Sequence, residues 1–179
     1  MNRPNSMKLI VFTYAFLFMQ LGFAQENSAV KLQSFELKRF ELGSFEKIVS
    51  AKSTQDHLVI LWSFDCPPCI TELEKISALH LQYPEYQLTL INTDAVDEQV
   101  RVVNILQRYD LLKHDNLVSW DSLENWGFAD VDEEKLRYDI DPRWFGDLPR
   151  AYFLPLQGKV KRLRGALTSA ELLELFQPR

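Results

Sequence analysis

Residues 57–72 read His57-Leu58-Val59-Ile60-Leu61-Trp62-Ser63-Phe64-Asp65-Cys66-Pro67-Pro68-Cys69-Ile70-Thr71-Glu72. Residues 58–62 are apolar without alternation, the pattern of a central strand buried on both faces. After the cysteines, helical spacing takes over. Cys69, Leu73, Ile76 and either Leu79 or His80 fall on one face of a helix expected over 70–81. A buried strand therefore turns into a helix at Cys66-Pro67-Pro68-Cys69. Cys66 is expected near the N-cap and Cys69 at the third helical position. Backbone N–H groups are unpaired there, and the helix dipole favours an anion. Pro67 and Pro68 suit the first turn, where a missing N–H is no loss.

Two cysteines separated by two residues have two readings, half of a zinc site or a redox dithiol. Zinc needs further ligands, but there is no third cysteine, and His57, His80 and His114 show no ligand spacing. A bridge closing so short a loop would constrain little of the unfolded chain, so a purely structural disulfide is also a poor explanation. The dithiol reading assigns Cys66 as the exposed nucleophile and Cys69 as the buried resolving thiol. No metal and no small-molecule cofactor is indicated.

Working outward, residues 35–42 alternate as an extended segment, and Ser44 is expected to cap a short helix holding Phe45, Ile48 and Val49. Residues 86–92 predict a second strand, and 96–109 a helix with Val100, Val103 and Leu106 or Gln107 inward. Residues 117–120 predict a short third strand. The stretch 121–147 has no clear period and reads as an inserted loop region. Its aromatics suggest a satellite core or a partner-recognition surface, and Asp130, Asp132, Glu133 and Glu134 a solvated face. Residues 151–154 and 160–163 predict a hairpin, and Thr168-Ser169-Ala170-Glu171 a capping box opening a last helix. The class is α/β: a central mixed sheet flanked by helices, parallel where helices intervene and antiparallel in the closing hairpin.

The chain has 179 residues, of which 46% are hydrophobic and 25% charged, with a net charge of −5. This is globular composition, and it lacks the basic balance that would point to nucleic acid. Arg3 and Lys8 precede an apolar run over 9–24 that ends in Gly22-Phe23-Ala24, the pattern of a signal peptide cleaved before Gln25. The organisation expected is a signal peptide (1–24), a flexible leader (25–34) and one domain (35–179), exported to a periplasm. If left uncleaved, the apolar run would be a membrane anchor.

The segment Leu61-Trp62-Ser63-Phe64-Asp65-Cys66-Pro67-Pro68-Cys69-Ile70-Thr71-Glu72 resembles the F-W-A-T-W-C-P-P-C-x-x-E run of the periplasmic thioredoxin-like disulfide reductases of the TlpA and ResA type. Leu148-Pro149-Arg150-Ala151-Tyr152-Phe153-Leu154, followed by Gly158, is similar to that family's P-T-T-F-L-I-D-x-D-G run. The resemblance covers roughly residues 35–176 and implies a thioredoxin fold. It also implies that Pro149 is a cis-proline beside the dithiol and that the Leu148 backbone pairs with an extended substrate. Glu72 matches the family's acidic residue and would accept the Cys69 proton. Trp62, Asp65, Pro67, Pro68 and Leu148 are expected on the substrate face. The partners implied are client protein disulfides, apocytochromes c among them, and a membrane thiol donor.

Three residues depart from the pattern. Asp65 replaces the tryptophan before Cys66, and an anion there would raise the Cys66 pKa. Ile60 stands where thioredoxins proper carry a buried acid, so the proton acceptor must be elsewhere. Glu74 replaces a helix proline. A disulfide reductase is the leading expectation. A dithiol oxidase or isomerase with the same site, and a non-catalytic module that binds partners through its aromatics, are the alternatives.

Overall fold

The unalternating apolar run lies in the interior of a six-stranded sheet, and every residue of its strand, His57–Trp62, is buried. The computed structural model describes residues 37–176 apart from 52–53, 84–85, 113–121 and 130–131. In chain order the elements are β1 (Lys38–Phe40), α1 (Ser44–Ser50), β2 (His57–Trp62), α2 (Pro67–Gln82), β3 (Gln87–Asn92) and a 3₁₀ turn (Val96–Glu98). They continue with α3 (Gln99–Arg108), β4 (Leu123–Phe128), α4 (Glu133–Ile140), β5 (Arg150–Leu154), β6 (Lys161–Arg164) and α5 (Ser169–Phe176). The sheet order is β1-β4-β3-β2-β5-β6. The first four strands in this order are parallel, and β5 and β6 add an antiparallel edge.

Side-chain alternation along β2 divides the core in two. Leu58, Ile60 and Trp62 pack with Cys69, Leu73 and Ile76 of α2, Val102 and Leu106 of α3, and Leu172 of α5. Val59 and Leu61 pack on the opposite face with Ile48 of α1, Leu136 and Ile140 of α4, and Tyr152 of β5. Both faces of β2 are thus dry, which is why its sequence shows no period of two. Each large side chain buried this way stabilises the fold by about 1.5–3 kcal/mol. The expected capping box is present: Thr168 N–H donates to Glu171 Oε2 (2.8 Å), and Glu171 N–H to Thr168 Oγ1 (3.2 Å).

Three local expectations are corrected. Gly43, with φ +79°, occupies the N-cap of α1. Ser44 is the first helical residue, and its Oγ accepts from the Glu41 N–H (2.9 Å). A residue without Cβ adopts the left-handed conformation at no steric cost and so takes the position in place of serine. The helix expected over 96–109 opens as a 3₁₀ turn, so its buried stripe is Val102 and Leu106, while Val100 is 76% exposed. The strand expected over 117–120 lies outside the described residues. The stretch 121–147, expected as an inserted loop region, contains β4 and α4. These elements hide in the sequence because β4 keeps Glu124, Asn125 and Trp126 only half-buried and α4 buries only Leu136 and Ile140.

Candidate active site

Cys66 is the N-cap of α2 in extended conformation (φ −108°, ψ 94°), and Pro67 and Pro68 form the start of the helix. The Cys69 N–H donates to Cys66 Sγ at 3.3 Å. The two residues are joined as a disulfide, with Cα atoms 5.2 Å apart. Cys66 is partly exposed, whereas Cys69 is 0% exposed and sits in the core among Trp62, Leu73 and Ile76. Solvent reaches Cys66 but not Cys69. A thiolate there would meet unpaired N–H groups and the positive end of a 16-residue helix.

The turn leading into Cys66 is fastened to the end of the neighbouring strand by residues that the sequence reading did not single out. Asp94 accepts from Ser63 Oγ–H (2.6 Å), from the Phe64 N–H (2.9 Å) and from Asn92 Nδ2 (2.7 Å). The Thr93 N–H donates to the Trp62 carbonyl (3.0 Å). The signal available was Asn92-Thr93-Asp94 closing a strand, since short polar side chains there bond nearby backbone. Its partners Ser63 and Phe64 lie 31 and 30 residues away, which no local pattern reveals. Arg101 was missed as well. Its guanidinium carbon lies 3.9 Å from the centroid of the Phe64 ring, and it pairs with Asp65 at 3.6 Å.

That pairing changes the account of Asp65. Its side chain is 75% exposed and faces an arginine, so its charge is screened by water and neutralised locally. Trp62, expected on the substrate face, is 1% exposed and belongs to the core. A strand position with that parity faces α2 and not solvent, so the indole packs behind the site. Pro67 and Pro68 are exposed beside Cys66.

The second segment arrives from β5. Antiparallel pairing sets Arg150 opposite Leu61, so Pro149 falls opposite Trp62 at the end of β2 that leads to Cys66. The Leu148-Pro149 peptide is cis, and Pro149 is buried. The Pro149 carbonyl accepts from the Gly165 N–H (3.0 Å), whereas no backbone hydrogen bond ties Leu148 to a described residue.

Glu72 lies one turn beyond Cys69 and is 1% exposed. Its Oε1 accepts from the Leu167 N–H (2.8 Å), and its Oε2 has no hydrogen-bond partner among the described residues. Burial pushes its pKa up to about 7, against the opposing pull of the Leu167 bond and Lys75. His57 and His80 are buried, and desolvation lowers both to about 4. His57 shares a 2.8 Å hydrogen bond with Thr89 Oγ1. His114 lies outside the described residues.

No family model matches the sequence, and no curated protein does. Solved structures do match the fold. A secreted Mycobacterium tuberculosis disulfide oxidoreductase homologous to E. coli DsbE superposes with TM-score 0.50 at 14% identity, over 70% of this chain and 82% of that one. A DsbF homologue from Corynebacterium diphtheriae gives 0.51 at 11% identity, over 69% and 71%. A thiol:disulfide interchange protein of the thioredoxin family from Chlorobium tepidum gives 0.50 at 13% identity, over 68% and 77%. On this likeness and its mixed six-stranded sheet, the chain has the thioredoxin fold.

Proposed function

We propose that this protein is an exported thiol–disulfide oxidoreductase acting by dithiol–disulfide exchange through Cys66 and Cys69. One observation carries the reading: a partly exposed sulfur at a helix N-cap receives the N–H of a buried second cysteine, at the sheet end where a cis-proline sits. The helix terminus and the Cys69 N–H favour a thiolate at Cys66. The Cys66 thiolate attacks one sulfur of a client disulfide, and the other client sulfur leaves as a thiolate. Cys69 then attacks Cys66 Sγ. The client leaves with two electrons more, and Cys66–Cys69 is left oxidised. Glu72 takes the Cys69 proton in this scheme, and a carboxyl titrating near 7 suits a base working at neutral pH. The client's extended backbone pairs with Leu148 beside Pro149, a small case of strand addition. Pro67 and Pro68 are exposed where a client would meet Cys66, and Asp65 stands at the rim of that contact.

The direction we propose is reduction of the client, with a membrane thiol donor restoring the dithiol and apocytochromes c among the clients. The Cys-Pro-Pro-Cys sequence supports it. Export to a periplasm rests on Arg3, Lys8 and the apolar run 9–24, and the Mycobacterium tuberculosis protein of like fold is itself secreted. Among the described residues no helix is long and apolar enough to cross a membrane.

The test is the reduction potential of the pair, measured by thiol trapping in a graded dithiothreitol series. A value at or below that of thioredoxin, about −270 mV, supports the reductase. A value near about −120 mV makes the protein an oxidant. A pair that does not cycle removes the enzyme reading. With Cys69→Ser, clients should be held as mixed disulfides on Cys66.

A further inference from the structure

The segment between α4 and the cis-proline is held by a set of buried bonds. Asp141 is 2% exposed and Arg150 1%. Arg150 Nη2 donates to Asp141 Oδ2 at 2.6 Å, and Arg150 Nε to Tyr152 Oη at 2.7 Å. Asp141 also accepts the Arg143 N–H at Oδ1 (3.1 Å), while its carbonyl accepts the Trp144 N–H (2.8 Å). The buried Trp144 donates its indole N–H to the Asp147 carbonyl (2.9 Å), closing the turn. Gly146, with φ +92°, reverses the chain inside that turn, a conformation that residues with a Cβ rarely adopt. Between Trp144 and Gly146 stands Phe145, 92% exposed, the barest of the large apolar side chains among the described residues.

An exposed phenylalanine on a loose loop would need no explanation. This one is held out by a buried ion pair, an indole bond and a glycine turn. It lies three residues before Leu148, so it is within about 10 Å of the backbone that faces the client. Aromatic anchors already fixed in place lose little entropy on binding and tend to dominate interfaces. We propose that Phe145 is the specificity anchor of the redox site. It takes an apolar side chain close in sequence to the client cysteine, and Asp141, Trp144 and Arg150 act as positioning residues. The inference rests on the exchange reading above. It names the client as an extended polypeptide with apolar residues flanking its disulfide.

The test uses the reduced mature protein and two synthetic peptides. Each peptide carries one disulfide and differs only in having leucine or serine beside its cysteines. The oxidation rate of the protein is followed with each peptide, and with dithiobis(nitrobenzoate) as a small disulfide. Wild type should react about tenfold faster with the leucine peptide, equivalent to ~1.4 kcal/mol. Phe145→Ser should bring the ratio close to one, and Phe145→Leu should restore most of it. Trp144→Phe, which removes the indole bond to Asp147, should lower the ratio with Phe145 still present, as loss of packing alone would not. A ratio unaltered in Phe145→Ser overturns the proposal. So does a wild-type dimer that this substitution dissociates, since Phe145 would then serve self-association. A wild type that reacts with dithiobis(nitrobenzoate) but does not distinguish the peptides overturns this inference alone. One that reacts with no disulfide overturns the exchange reading beneath it.

Discussion

Replacing Glu72 with glutamine should flatten the pH dependence of stability between pH 4.5 and 8.5. In the folded protein, burial lifts this carboxyl from its ordinary 4.5 to about 7, although the Leu167 N–H and Lys75 pull the other way. Below pH 4.5 the group is protonated in both the folded and unfolded states. Above that, the unfolded chain gives up a proton that the fold retains. Wild type therefore loses stability as pH rises, until the folded carboxyl ionises near 7. At about 1.4 kcal/mol for each pH unit, the whole span is worth up to ~3 kcal/mol. Glutamine keeps an oxygen for the Leu167 N–H but brings an NH₂ group to the place where Oε2 has no described partner. An unsatisfied donor costs about 1–3 kcal/mol, and that cost is the same at every pH. The variant should thus be less stable than wild type at pH 4.5 and equal to it or better at pH 8.5. Urea unfolding of the oxidised proteins at the two pH values measures both differences. If the gap between wild type and variant is the same at both, burial does not raise this carboxyl and the reasoning fails. With reduced protein, the same substitution should remove the inflection near pH 7 from the rate at which Cys69 resolves a mixed disulfide.

Other predictions follow from the remaining charged groups. His57 and His80 are held neutral to about pH 4, so their share of stability is complete above 6.5 and is lost as pH falls through 4. Nuclear magnetic resonance titration of the two imidazoles should show no protonation at pH 5.5. Asp141→Asn leaves the buried Arg150 charge without its closest partner and should cost about 3–5 kcal/mol in urea unfolding. The double change Asp141→Leu with Arg150→Met should recover most of that. Asp94→Ala removes the acceptor of the Phe64 N–H and should destabilise by about 1–3 kcal/mol while accelerating hydrogen exchange at that amide. Asp65→Asn should leave the pH profile of Cys66 alkylation nearly unchanged, because an exposed carboxylate paired with Arg101 acts weakly.

The parts of this fold that are legible in the sequence are those in which one residue's environment repeats along an element. The buried strand 58–62 declares itself because both its faces are dry. The helix after Cys69 does so because Leu73, Ile76, Leu79 and His80 are all inward. The capping box of α5 is local by construction. β4 and α4 were illegible for the opposite reason. Leu-Glu-Asn-Trp-Gly-Phe satisfies neither period when its middle residues are half-buried, and a helix with two buried residues gives too short a stripe. At the site, Cys66, Cys69 and Glu72 share one helix and could be read together. Asp94 and Arg101 meet the turn before Cys66 from at least 30 residues away, and Arg150 bonds Asp141 at the end of another element, where sequence spacing carries no information. Trp62 was misjudged because nearness in sequence to a cysteine says nothing about which face of a strand a side chain takes.

The site also depends on where the sheet changes direction. β2, β3 and β4 run parallel, so the ends that lead to Cys66, Asp94 and Ala129 lie along one edge. β5 runs the other way, so the same edge receives the start of its strand, and with it Pro149 and the Leu148 backbone. An all-parallel sheet would put that proline at the far edge from the dithiol. A mixed sheet sets the N-terminus of α2 across from the Leu148 backbone, which makes no backbone hydrogen bond to a described residue. Disulfide exchange with a protein needs both at once: a sulfur activated without a partner's help, and main-chain contacts that accept many sequences. The buried Arg150 beside the proline bonds Asp141 at 2.6 Å on the face of the sheet opposite Cys69, so this loop can be altered without repacking the core around the dithiol.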